Sequence, residues 1–199
     1  MLEQRIQQHF IDSADLNYQA GPALSKPISQ AMQALLACVT SGGKILACGA
    51  GVSGLLAAQF AAQFVSRFER DRPELAAIAL PGDPSDPAAD RADAVDRDRY
   101  ARQVRALGQA GDVLLALSVS GQAASVLGAI EAAHERDMTV VALLAGNGGA
   151  AGRALRETDV QVNVQHERAA RIHEVHLLAL HCLCDGVDAQ LLGEQEGST

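Results

Sequence analysis

The apolar positions at the start of the chain recur at helical spacing in two groups. One group begins at Leu2, and the other spans Ile28–Val39. Gly21-Pro22 and Lys26-Pro27 separate the groups and predict a linker, so that residues 1–41 would form a helical hairpin. Because no strand precedes this hairpin, its apolar faces are expected to pack on the flank of the domain or on another subunit.

The rest of the chain alternates short apolar segments with helical patterns. The predicted strands are Lys44–Cys48, Ala76–Leu80, Asp112–Leu117, Met138–Leu144 and Val160–Val164. Continuous apolar strands that alternate with helices indicate a parallel sheet covered on both faces. We therefore predict an α/β fold, a three-layer αβα sandwich with a five-stranded parallel sheet in the flavodoxin-like order 2-1-3-4-5. The prediction places a single domain over 1–199, with the αβα core over 42–199.

The last predicted helix, from about Glu167 to Leu192, is apolar over much of its circumference. This is more apolar surface than one flank of a sheet needs. We therefore expect the helix to contribute to an interface between copies of the chain, and we predict a homotetramer.

The composition narrows the classes of function. A net charge of −8 disfavours binding to nucleic acid or to an anionic membrane surface. No apolar run has membrane-spanning length and the first residues do not form a signal peptide, which predicts a cytoplasmic protein. The four cysteines fit no zinc-binding spacing and are interpreted as reduced core thiols: Cys38, Cys48, Cys182 and Cys184. The segment Pro81–Asp98, rich in Asp, Ala and Pro, predicts a functional or mobile loop.

Two strands end in loops of serine and glycine that lead directly into helices. The loops are Gly49–Gly54 and Ser118–Gln122, and in the predicted strand order they lie side by side. Exposed amides at helix N-termini, together with serine hydroxyls, bind anions. The hydroxyls of Ser53, Ser118 and Ser120, with the amides of Gly51 and Gly121, therefore predict a phosphate site. The alternative is an ordinary connection in which Ser53 is an N-cap. The spacing Gly49-x-Gly51-x-x-Gly54 also matches a dinucleotide fingerprint, but the acidic residue about 20 positions later is missing.

These loops resemble those of the sugar isomerase (SIS) domain family, in the branch that contains phosphoheptose isomerase and the DnaA initiator-associating protein. The matching stretches are Gly49-Ala-Gly-Val-Ser53, Ser118-Val-Ser-Gly-Gln-Ala123, Tyr100–Gly108, Ala110–Ala116 and His181-Cys-Leu-Cys-Asp185. The resemblance implies that a sugar phosphate is bound by Ala50, Gly51, Val52, Ser53, Asp93, Ser118, Ser120, Gly121, Gln122 and His173.

The resemblance also identifies positions for acid–base chemistry. The isomerases carry His-x-x-x-Glu on the helix after the first loop and Gln followed eight residues later by His on the last helix, and in some members these residues hold zinc. Here the first pair is Gln59 and Gln63, and the second is His173 and His181. An amide is not a general base at neutral pH. The sequence therefore favours a non-catalytic, regulatory sugar-phosphate-binding protein, with DnaA as a partner implied by the resemblance.

The alternative function is that of a phosphoheptose isomerase with a rearranged site, in which His181 is the acid–base residue. The histidines His173, His176 and His181 are open to three interpretations: acid–base residues, metal ligands, or side chains that are merely packed or exposed. We expect no metal cofactor, because no carboxylate or thiolate partner is evident in the sequence.

Overall fold

A computed structural model describes residues 1–82 and 97–193 of the chain. The helices are α1 (Leu2–Thr40), α2 (Val52–Val65), α3 (Asp98–Leu107), α4 (Ala124–Glu135), α5 (Gly149–Ala154) and α6 (Ala169–Leu192). The strands are β1 (Ile45–Gly49), β2 (Ala77–Ala79), β3 (Val113–Leu117), β4 (Thr139–Ala145) and β5 (Val160–Val164).

The strands form one sheet in the order β2-β1-β3-β4-β5, and every neighbouring pair is parallel. This confirms the predicted fold class and strand order. In the register of the sheet, Gly49 at the end of β1 lies beside Leu117 at the end of β3. The two serine–glycine loops therefore leave the same edge of the sheet from adjacent strands.

Alternating residues of the central strands face two separate apolar cores. Ile45 and Leu115 belong to the core under α1, α2 and α6, whereas Leu46 and Leu114 belong to the core under α3 and α4. All four side chains are fully buried. The continuous apolar character of these strands thus follows from helices on both faces.

The predicted N-terminal hairpin is wrong, because residues 2–40 form the single helix α1 with Pro22 and Pro27 inside it. A proline removes one backbone hydrogen bond and normally breaks or kinks a helix. Here the helix continues because its C-terminal half packs on the core, where Leu35 is fully buried. Near the first proline, the hydroxyl of Ser25 donates to the carbonyl of Gly21 at 2.7 Å.

The N-terminal half of α1 keeps its apolar side chains exposed. Leu2 is 72%, Phe10 is 74% and Tyr18 is 86% exposed. Such an exposed apolar stripe is consistent with the expectation that this region packs on another subunit.

Helix α6 has the length and hydropathy of a membrane span, contrary to the expectation from the sequence. Its window is 44% buried within the protein, and Ile172, Leu180 and Leu183 lie in the core under α1 and α2. A buried helix of a globular core passes the same test, and we interpret α6 in this way.

Of the cysteines, Cys38, Cys48 and Cys184 are buried, whereas Cys182 is exposed, so the interpretation of all four as core thiols is wrong for Cys182.

Candidate active site at the carboxyl edge of the sheet

The first loop is the short turn between β1 and α2. Gly51 is the N-cap residue and has a φ of 55°, in the region that favours glycine. Ser53 lies in the first turn of α2, so it is not the N-cap residue of the alternative interpretation. Its side chain is buried, and its Oγ lies 3.4 Å from Nε2 of His173. Helix α6 thus brings a histidine to the N-terminus of α2.

The second loop, between β3 and α4, is held by its own serines. The Oγ of buried Ser118 accepts a hydrogen bond from the Gly121 N–H at 3.0 Å, and the Oγ of exposed Ser120 accepts one from the Gln122 N–H at 3.1 Å. Gly121 has a φ of 64°. These hydrogen bonds fix the turn before α4, so that the N-terminus of α4 lies near the first loop.

A third loop supports the second, and the sequence analysis did not include it in the site. The Gly121 backbone approaches Gly148, in the turn after β4, so closely that an added Cβ at Gly121 would lie 2.0 Å from the Gly148 carbonyl oxygen. The Ala151 N–H donates to the Gly121 carbonyl at 2.9 Å. The run Gly146-Asn147-Gly148-Gly149 after an apolar strand was the available signal.

A cavity of about 170 Å³ lies on the other side of the first loop. Its lining includes Gly51 and Leu55 of the α2 N-terminus, Gly82 after β2, and Tyr100 of α3. The Tyr100 hydroxyl donates to the Gly49 carbonyl at 2.7 Å, which anchors α3 to the end of β1. Asp93, predicted from the resemblance to bind sugar, lies outside the described residues.

Helices α2 and α6 run side by side in the same direction. Their facing side chains meet along a line of contact, which we call the α2–α6 seam. After the Ser53–His173 contact comes that of Gln59 Nε2 with His181 Nε2, at 3.4 Å. Farther along, the Cys184 Sγ lies 3.8 Å from Gln63 Oε1. Because eight helical residues rise roughly 12 Å, His173 and His181 lie about that far apart along this seam.

His181 is held from two sides. An amide N–H can only donate, so the contact with Gln59 leaves the His181 Nε2 in the role of acceptor. The ring of Phe68 lies against the imidazole, with 5.3 Å between the ring centroids. His181 is partly exposed, as a residue that reaches a substrate must be.

His176 is a packed histidine, which decides one of the alternatives left open by the sequence. It is fully buried, and its Nε2–H donates to the Leu144 carbonyl at 3.0 Å. Burial lowers the pKa of His176 to about 4. The side chain is therefore neutral at physiological pH and stabilises the contact of α6 with β4.

The depressed pKa of His176 predicts acid sensitivity of the fold. Between its ordinary pKa of 6.5 and about 4, the unfolded chain binds a proton at this residue that the folded chain does not bind. The free energy of unfolding should therefore fall as the pH falls through this window, by up to about 3 kcal/mol. Urea unfolding of the wild type and His176→Asn between these pH values measures the effect. Equal pH slopes in the two proteins would contradict it.

The residues along the α2–α6 seam do not fit a zinc ion. Zinc in proteins is bound by cysteine, histidine and carboxylate side chains. Gln59 and Gln63 supply neutral amides, and the two histidines lie too far apart within one chain to share an ion. In the part of the chain that the structure describes, no group of three or more His, Cys, Asp or Glu residues is placed to hold a metal.

Comparisons with known proteins identify a family that shares this fold. The SIS domain profile matches residues 9–145. The chain belongs to the SIS domain family. It is 60% identical to the phosphoheptose isomerase of Methylibium petroleiphilum over 98% of both chains, and 50% identical to that of an Azoarcus species over 96% of this chain and 98% of the relative. The solved phosphoheptose isomerase from Neisseria gonorrhoeae superposes with a TM-score of 0.83 at 43% identity, covering 95% of this chain and 100% of that one.

These relatives overturn the main functional expectation from the sequence. The amides at Gln59 and Gln63 predicted a non-catalytic regulator, yet relatives with full-length coverage are named phosphoheptose isomerase. The comparison supports the alternative, an enzyme of the phosphoheptose isomerase type. The amides at Gln59 and Gln63 do not by themselves exclude catalysis, because a histidine of α6, His181, lies against Gln59.

Proposed function

We propose that this protein is an aldose–ketose isomerase that acts on a heptose phosphate such as sedoheptulose 7-phosphate. The observation that carries the proposal is the position of His181. Its imidazole contacts Gln59 of α2, the helix that begins at the first serine–glycine loop. The high identity to proteins named phosphoheptose isomerase supports the same substrate class.

The phosphate of the substrate would bind at the two serine–glycine loops. The N-termini of α2 and α4 supply amides and partial positive charge, and Ser53 and Ser120 supply hydroxyls. His173, next to Ser53, adds a third polar group at this end of the seam. None of these groups has to exchange a proton with carbon, so their role is to bind and orient.

The reacting carbons would lie toward His181. A linear seven-carbon sugar phosphate carries its carbonyl at the end opposite to the phosphate, which suits an acid–base residue farther along α2 and α6. In the ketose-to-aldose direction, neutral His181 takes a proton from carbon 1, which gives an enediol. The resulting imidazolium returns the proton to carbon 2, while the hydroxyl proton of carbon 1 moves to the oxygen of carbon 2 through solvent.

Incubation of the purified protein with sedoheptulose 7-phosphate, with the aldose product separated and quantified, tests the proposal. We expect turnover well above the rate without protein. A rate equal to the background, in a protein that is folded by circular dichroism, would refute the proposed function.

The phosphate loops should protect the protein from thermal unfolding when phosphate or a sugar phosphate is present. Each lost hydroxyl removes one hydrogen bond to the ligand, worth roughly 1 kcal/mol, so Ser120→Ala should weaken binding several-fold. Differential scanning fluorimetry with increasing phosphate measures this. Ser41→Ala, an exposed serine at the C-cap of α1, is the matched control. Equal protection of the wild type and Ser53→Ala/Ser120→Ala would show that the loops are not the site.

The homotetramer expected from the sequence is also part of the proposal. Helix α2 contains no charged residue, yet Val52, Leu55 and Val65 on it are 49%, 53% and 45% exposed. A groove of about 330 Å³ lies between α1 and α6, lined mainly by apolar residues that include Leu24, Ile28, Met32, Val175 and Leu178. Such surfaces on one side of the molecule support association of identical chains.

Multi-angle light scattering should therefore give the mass of four chains at micromolar concentration. Phe10→Glu places a charge in the exposed stripe of α1 and should shift the distribution toward smaller species. Leu107→Glu is the control, because Leu107 is 41% exposed but lies on α3, on the opposite face of the sheet. A monomeric wild type would rule out the tetramer.

Two expectations from the sequence stay predictions. The cytoplasmic location suits an enzyme whose substrate is a phosphorylated sugar. An association with DnaA rests on the resemblance alone, and co-purification of the two proteins tests it.

A further inference from the structure

We propose that the α2–α6 seam performs the isomerisation without a bound metal ion, because Gln59 and Gln63 replace the donors that would hold one. This inference rests on the proposed function and extends it to the chemistry of the site. The resemblance to zinc-holding SIS proteins places a histidine and a carboxylate at these two positions, and both positions here are amides.

The side chains of the two glutamines are engaged with α6. Gln59 donates its amide N–H to His181, and Gln63 offers its amide oxygen to the Cys184 thiol. An N–H donor repels a cation, and a neutral amide oxygen is a poor ligand for zinc compared with a carboxylate. The two positions on α2 that face α6 therefore supply no anionic donor for a cation.

The remaining donors along the seam do not compensate. His173 is roughly 12 Å from His181 along α6, and it contacts Ser53 instead. Cys184 is fully buried, and its thiol lies against the amide oxygen of Gln63 and not against His181.

The contacts of His181 also give a positive reason for catalysis without metal. A metal on Nε2 would use the lone pair that a general base needs, whereas a hydrogen bond from Gln59 can yield to the substrate. The ring of Phe68 keeps the imidazole oriented when that bond is exchanged. Gln59 and Phe68 act as positioning residues, and His181 is the residue that touches the reacting carbons.

The experiment compares zinc binding in the wild type and in Gln59→His/Gln63→Glu. Residues four apart lie on one face of a helix, so the new histidine and carboxylate would stand beside His181 and complete three donors. After removal of metal with a chelator, isothermal titration with zinc should show one site per chain in the double variant and no saturable site in the wild type. Adding His181→Ala to the double variant should abolish the new site. The isomerase rate of the wild type should be unchanged by the chelator.

Each other outcome contradicts the inference. One zinc per chain in the wild type, or a rate lost with the chelator and restored by zinc, would show that the seam holds a metal. Absence of zinc binding in the folded double variant would show that the amides at Gln59 and Gln63 are not what prevents zinc binding in the wild type. If the double variant fails to fold, zinc titration of Gln63→Glu alone provides a second test. A wild type that is inactive in every metal condition refutes the proposed function, whereas the zinc titrations judge the metal inference independently.

Discussion

Replacing His181 with asparagine is expected to lower kcat for sedoheptulose 7-phosphate by about 10²–10⁴-fold, the contribution typical of one general acid–base residue. Asparagine keeps a polar side chain beside Gln59 but cannot take a proton from carbon. Substrate affinity should change little, because in the proposed binding mode the phosphate contacts the loops near Ser53 and Ser120. The measurement is kcat and KM for the wild type and the variant, with folding checked by circular dichroism.

The matched control is His134→Gln, which removes a histidine from the opposite edge of the sheet. His134 pairs with Asp159 at 2.7 Å there, and glutamine retains a hydrogen-bond donor for that carboxylate. Its kcat should equal that of the wild type. If His181→Asn retains the wild-type kcat, His181 is not the acid–base residue, and His173 becomes the residue to test.

The sheet could be predicted from the sequence because its strands carry a strong and local signal. In β3, every residue of Val113–Leu117 is apolar and buried, which only a central strand covered on both faces requires. The serine–glycine loops follow such strands directly, so their convergence at one edge followed from the strand order. Contacts between distant elements, such as that of Ser53 with His173, carry no comparable local signal.

The N-terminal helix shows where local rules fail. Pro22 and Pro27 are breakers by intrinsic preference, yet the helix passes through both. Its register is fixed by apolar contacts of Leu24 and Leu35 with the core, and these contacts lie on both sides of Pro27. Tertiary packing thus overrides the local penalty, and a single sequence does not show how much packing is available.

The proposed acid–base positions were harder to predict than the serine–glycine loops. A phosphate site at a helix N-terminus depends on backbone geometry, and glycines such as Gly51 and Gly121 indicate that geometry in the sequence. Acid–base chemistry depends on which side chains meet across two helices, and Gln59 could be paired with His181 only once α2 and α6 were placed side by side. The amides were therefore interpreted as a loss of function, although one of them contacts His181.

The seam between α2 and α6 is closed at its far end by a buried ion pair. Arg72 Nε donates to Asp188 Oδ1 at 2.5 Å, and the two side chains are 0% and 2% exposed. The same guanidinium donates to the carbonyls of Gln63 and Phe64, each at 2.9 Å, at the end of α2. Arg72 therefore joins the last turn of α2 to α6, just beyond Gln59 and His181.

Replacing Arg72 with methionine is expected to lower the free energy of unfolding by about 3–5 kcal/mol, because Asp188 would remain buried without a counter-charge. Arg72→Met/Asp188→Leu removes both charges and should recover part of this loss, though not the hydrogen bonds to the two carbonyls. The control is Arg105→Met, which breaks the exposed pair with Glu135 and should cost at most about 1 kcal/mol. Urea unfolding at neutral pH compares the variants. A loss in Arg72→Met no larger than in Arg105→Met would mean that solvent reaches Asp188 and that the pair does not hold the seam together.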